Sequence, residues 1–99
     1  MVIIGMLSFP SEASKETGKR FQGLGPLPEY ITMMGPYISS TKEEGIQTIV
    51  LYELEKSRLP EAFEIISNRY VNYHGVPGLT YSVQVWLDVV EAFKMIGLE

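Results

Sequence analysis

The chain has 99 residues and a formal net charge of −4, with 8 basic against 12 acidic side chains. One domain of this size buries roughly two-thirds of its unfolded surface around a single core, so neither a metal nor a disulfide staple is required. It has no cysteine, which excludes disulfides, thiolate nucleophiles, zinc knuckles and iron–sulfur clusters and gives no sign of an oxidising compartment.

The first stretch, Val2 to Phe9, is β-branched and apolar on both faces, as in a strand at the middle of a covered sheet. It lacks a basic leader and is too short for a signal sequence or a membrane span, so the expectation is a cytoplasmic protein with no membrane partner. Gly5 interrupts the strand, through a bulge, a close backbone approach or a gap under a bulky neighbour. Pro10 ends it, and Ser11 is placed to cap a helix with Glu12 in its first turn. Ala13, Thr17, Phe21 and Leu24 fall on one side of that helix. Glu12, Lys15, Glu16, Lys19 and Arg20 fall on the other, with Glu16 and Arg20 forming an i,i+4 pair on a solvated face. These are the chain's only clustered basic residues, and the acids among them argue against a nucleic-acid partner.

Residues 22–29 hold Gly23, Gly25, Pro26 and Pro28 and read as a loop. The Gly-Leu-Gly within it follows a helix and opens none, so it is not a dinucleotide fingerprint. Residues 30–40 form a second strand, kinked at Gly35-Pro36 and suited to an edge because proline cannot donate to a ladder. Thr41 to Gly45 is a polar turn, whose Glu43 and Glu44 are solubilising loop residues.

Residues 45–54 are the most β-like run and the expected centre of the sheet. Ile46, Thr48, Val50, Tyr52 and Leu54 suit a helix-covered face. The opposite set, Gln47, Ile49, Leu51, Glu53 and Glu55, is apolar only in its middle. A helix then starts at Ser57 with Pro60 in its first turn and runs to about His74, burying Leu59, Ala62, Phe63, Ile66 and Tyr70. His74, the only histidine, reads as a cap facing the helix dipole, and Arg69 beside it as surface. With one histidine, no multi-histidine metal site can be built within a chain, and neither a metal nor another cofactor is expected. Residues 81–87 alternate, with Tyr81, Val83, Val85 and Leu87 directed at the core and Ser82, Gln84 and Trp86 away from it. Asp88 and Glu91 form a capping box that opens a short apolar helix over residues 89–96.

Strand, helix, strand, strand, helix, strand is the order of the ferredoxin-like α+β plan, a βαββαβ domain whose four-stranded antiparallel sheet carries two covering helices, here with a short C-terminal helix added. With Ile49, Leu51 and Trp86 on the uncovered face and an apolar helix after the last strand, the whole chain resembles the dimeric α+β barrel superfamily. The resemblance implies that two sheets pack open face to open face as a homodimer. It includes cofactor-free monooxygenases, isomerase-like enzymes and ligand-binding modules, and carries no catalytic residue over. The RNA-recognition module is disfavoured, because residues 47–52 lack its glycine and basic residue. So are copper chaperones, which need paired cysteines where Ser8 to Ser11 stand.

The half-polar face supplies the site expectation: Gln47, Glu53, Ser82, Gln84 and Trp86 as ligand-binding candidates around a small apolar or aromatic molecule held between sheets. One alternative is an oxygenase or isomerase with Glu53 as acid–base group. The other is a face that serves association alone.

Overall fold

Seven regular elements follow in chain order in the computed structural model, which describes residues 1–98: β1 (Val2–Phe9), α1 (Ser14–Gln22), β2 (Thr32–Thr41), β3 (Gly45–Glu53), α2 (Leu59–Val71), β4 (Thr80–Trp86) and α3 (Val89–Met95). The four strands form one open antiparallel sheet in the order β2-β3-β1-β4, which puts β1 and β3 at its centre. None of the described helices is long and apolar enough to cross a membrane.

Alternation along the strands gives the sheet two unlike faces. On one, Ile3, Leu7 and Phe9 of β1 and Val50 and Tyr52 of β3 meet Ala62, Ile66 and Tyr70 of α2 and Tyr73 and Val76 beyond it, and this is the core. Gly5 sits in the middle of β1 with unbroken pairing to both neighbours, so it is no bulge. A Cβ there would overlap the hydroxyl and ring of Tyr70, and the absent side chain is what admits that ring.

The break in β2 lies where proline required it. The register between β2 and β3 shifts between Met34 and Tyr37, and β2 is an edge strand. Both covering helices begin later than the sequence suggests. Short 3-10 turns occupy Ser11–Ala13 and Lys56–Arg58, and neither α1 nor α2 has a side-chain cap at its first residue. Pro10 just before the first 3-10 turn and Pro60 in the first turn of α2 set the backbone instead. Helix α2 ends at Val71, so His74 lies past it in a turn and is not a dipole cap: its Nε2 is 3.0 Å from the Tyr81 hydroxyl, and the two rings stack. The capping box of α3 forms as the residues require. Asp88 Oδ1 accepts from the Glu91 N–H at 2.8 Å, and Glu91 Oε1 accepts from the Asp88 N–H at 3.1 Å.

Coverage of the helix face is uneven. Tyr81, Val85 and Leu87, expected in the core, are each about 40% exposed, and only Val83 of β4 packs against the core. Tyr81 lies instead against Tyr70 of α2 and His74 beyond it, with ring centroids 5.8 and 5.7 Å apart.

Candidate functional site

The most enclosed concavity is on the helix-covered face, where α1 leaves the β2–β3 side of the sheet unfilled. Thr48, Val50 and Tyr52 of β3, with Leu7 and Phe9 of β1, form its floor, and Pro36 and Ile38 rise on the edge-strand side. Thr17, Gly18 and Phe21 of α1 form the roof, and Arg69, Tyr70 and Tyr73 close the far wall. The volume is about 320 Å³, within the range of small-molecule sites. Phe21 and Ile38 flank the mouth and are 40% and 70% exposed.

Two clasps hold this roof in place. Arg20 Nη1 donates to the carbonyls of Asn72 and His74 at 2.8 and 2.9 Å, and Asn72 Nδ2 donates back to the Arg20 carbonyl at 3.1 Å. Arg69 Nη1 donates to the Gly25 carbonyl at 2.8 Å, which ties the loop after α1 to the end of α2. The Glu16–Arg20 pair at 3.0 Å steadies the first clasp from the same helix. A helix tied mainly at its C-terminal end can stand away from a sheet that it does not fully contact, and the space beneath is the cleft.

The polar groups around the cleft are few. Tyr52 and Tyr70 share a hydroxyl hydrogen bond of 3.1 Å on its floor. Burial, reinforced by that bond, holds the Tyr70 hydroxyl well above the usual phenol range, and burial also raises Tyr73. Both therefore remain protonated near neutral pH. Thr17 is only 5% exposed, and its Oγ1 has no partner; Arg69 Nε is buried and likewise unpartnered. No carboxylate, histidine or lysine lines the cleft, and no group of three or more metal-ligating side chains occurs among the described residues.

The opposite face carries every residue singled out from the sequence. Four cross-strand rows run from β4 to β2, and those of Gln84, Ile4, Leu51 and Met34 and of Ser82, Met6, Ile49 and Tyr37 form an apolar middle. The row of Trp86, Val2, Glu53 and Thr32 lies at one end, and that of Thr80, Ser8, Gln47 and Ser39 at the other. Gln47 and Glu53 are thus about 20 Å apart along β3 and cannot touch one small ligand together. Gln47 and Ser82 border one shallow groove and Glu53 another, and none of the five candidates lines the cleft. Glu53 is exposed within the single chain.

No protein-family model, curated protein or solved structure matches the chain. The site is therefore read from its own chemistry. Sequence reasoning missed Arg69 because a lone arginine near a helix end usually serves solvent or the helix dipole. The one available signal was Thr17, a polar residue at a core-facing helical position beside Gly18.

Proposed function

We propose that the protein is a homodimer that binds a small apolar or aromatic molecule, with the ligand inside each subunit, in the cleft under α1, and with the open sheet face as the dimer contact. The cleft is the observation that carries the ligand. An apolar recess of this size with a few convergent polar groups is the usual form of a small-molecule site. Binding is favoured over acid–base turnover because no carboxylate, histidine or lysine stands on the cleft walls to carry a proton. The alternative with Glu53 as acid–base group draws no support from a single chain, in which that carboxylate is exposed.

The strand order β2-β3-β1-β4, with β1 and β3 central, supports a ferredoxin-like reading and a kinship with the dimeric α+β barrels. Met6 supports the dimer: it lies mid-way along a central strand, yet is 42% exposed on the face that no helix covers.

Gly18 provides the test of the cleft. Gly18 lines the cleft and nothing lies within 4 Å of a Cβ built there, so a larger side chain has room at the cleft without displacing the backbone. Gly18→Leu is expected to abolish binding of naphthalene-type probes, measured by calorimetry, while the melting temperature does not fall. Undiminished binding in a folded Gly18→Leu protein would place the ligand elsewhere. Trp86 fluorescence is the wrong reporter here, since Trp86 lies on the opposite face and reports on the dimer contact.

A further inference from the structure

We infer that the ligand of the cleft is a small carboxylic acid, an apolar body with one anionic end, held at that end by Arg69 and Thr17. This rests on the reading of the cleft as the ligand site. Its basis is two polar groups left without partners on the walls of one apolar recess. Thr17 is almost fully buried and its Oγ1 makes no hydrogen bond, not even the common one to the carbonyl a turn earlier in its helix. Arg69 uses Nη1 on the Gly25 carbonyl, which fixes the guanidinium, while its Nε is buried with nothing to donate to.

The charge is also uncompensated. The ion pairs among the described residues join the Met1 amino group to Glu91, Arg20 to Glu16 and Arg58 to Glu61, so Arg69 has no carboxylate of its own. A partly buried guanidinium without a counterion beside an apolar space is unfavourable, and an incoming carboxylate removes that cost. It can accept from Nε of Arg69 and from the Thr17 hydroxyl, and bonds of this charge-assisted kind are strong where water is excluded. The Tyr52 and Tyr70 hydroxyls are bonded to each other, which leaves one O–H between them free to donate, and no acid lines the cleft to repel an anion.

Matched probes test this on the full chain. Naphthoic acid against naphthalenemethanol, and octanoic acid against octanol, differ only in the anionic group, and the two pairs distinguish aromatic from straight-chain bodies. Calorimetry at neutral pH is expected to show the acid of at least one pair binding on the order of tenfold to a hundredfold tighter than its alcohol. Arg69→Gln is expected to bring acid and alcohol together, read as the ratio of their two affinities within the variant, and Thr17→Val to reduce the preference in part. Equal binding of acid and alcohol to the unmodified protein overturns the anionic ligand and leaves the cleft as a neutral site. Binding of neither, or binding that Gly18→Leu does not affect, overturns the cleft reading and this inference with it. The comparison on the unmodified protein decides the matter even if Arg69→Gln does not fold.

Discussion

Two glycines show how much a single missing side chain decides here. At Gly5 an added methyl group would overlap Tyr70, a fully packed residue whose hydroxyl is bonded to Tyr52. Gly5→Ala is expected to cost about 1–3 kcal/mol, seen as a lower denaturation midpoint, because the ring must leave its place over β1. At Gly18 the same change meets nothing and replaces a helix-interior glycine, so Gly18→Ala should raise stability by up to about 1 kcal/mol. Tyr70 also ties stability to pH. Its folded-state ionisation is raised by burial first and by the Tyr52 hydrogen bond second, and Tyr73 is raised by burial. A raised value means that the contribution to stability is fully present below the ordinary phenol range, near about 10, and is lost as pH rises beyond it. Tyrosinate absorbance should therefore show part of the six-tyrosine signal appearing only as the protein unfolds in alkali. Tyr70→Phe should make that alkaline loss shallower, at a cost of about 1 kcal/mol near neutrality for leaving the Tyr52 hydroxyl unpartnered.

Among the elements, α3 depends most on local chemistry. Val89, Val90, Met95 and Ile96 are all more than half exposed, so its own sheet contributes little to holding it. Its capping box carries that burden. The Asp88 backbone N–H, foremost, and the Met1 amino group 2.9 Å away hold the Glu91 carboxyl below the usual carboxylate range. A lowered value contributes stability that is present above the ordinary glutamate range and lost as pH falls through the folded-state value. Amide-exchange protection of α3 should thus be level from neutral pH down to about 5 and decline below about 4. Glu91→Gln keeps an acceptor without the charge and should flatten that decline; an unaltered decline would assign the loss to another group. The edge strand β2 is guarded differently. Pro36 and the register break beside it interrupt the donors that a long, straight edge would offer to another chain.

At the scale of the whole molecule, the radius of gyration is 15.1 Å, against about 13 Å for a compact domain of 100 residues. The excess fits a subunit with projecting parts, and exposed apolar residues mark where they lie: Tyr37 and Ile38 on β2, Trp86 at the end of β4, and most of α3. Hiding even a few hundred Å² of the open face is worth on the order of 5 to 10 kcal/mol before association costs. A twofold pairing of identical faces is the simplest closed way to hide it, with α3 free to lie across the partner. Light scattering at micromolar concentration should give a mass near twice 11.2 kDa, and Ile49→Lys should return it to one chain. A single-chain mass for the unmodified protein would defeat the dimer.

Strand positions, the edge proline and the α3 capping box were legible because each follows from alternation, a missing donor or a side chain three residues away, all local to the chain. The two unlike faces of β3 were legible for the same reason: Val50 and Tyr52 point to the core because their neighbours point away. Local pattern could not say which face holds the cavity. The half-polar set of Gln47, Glu53, Ser82, Gln84 and Trp86 drew attention to the open face, yet antiparallel register spreads these residues along the sheet. The cleft depends on how far α1 stands from β3. That distance is set by Arg20 reaching residues 52 and 54 positions away and by Arg69 reaching one 44 positions away. Contacts of such separation leave no periodic trace in the sequence, so only the tertiary structure decided that an arginine readable as surface lies half-buried against an apolar space.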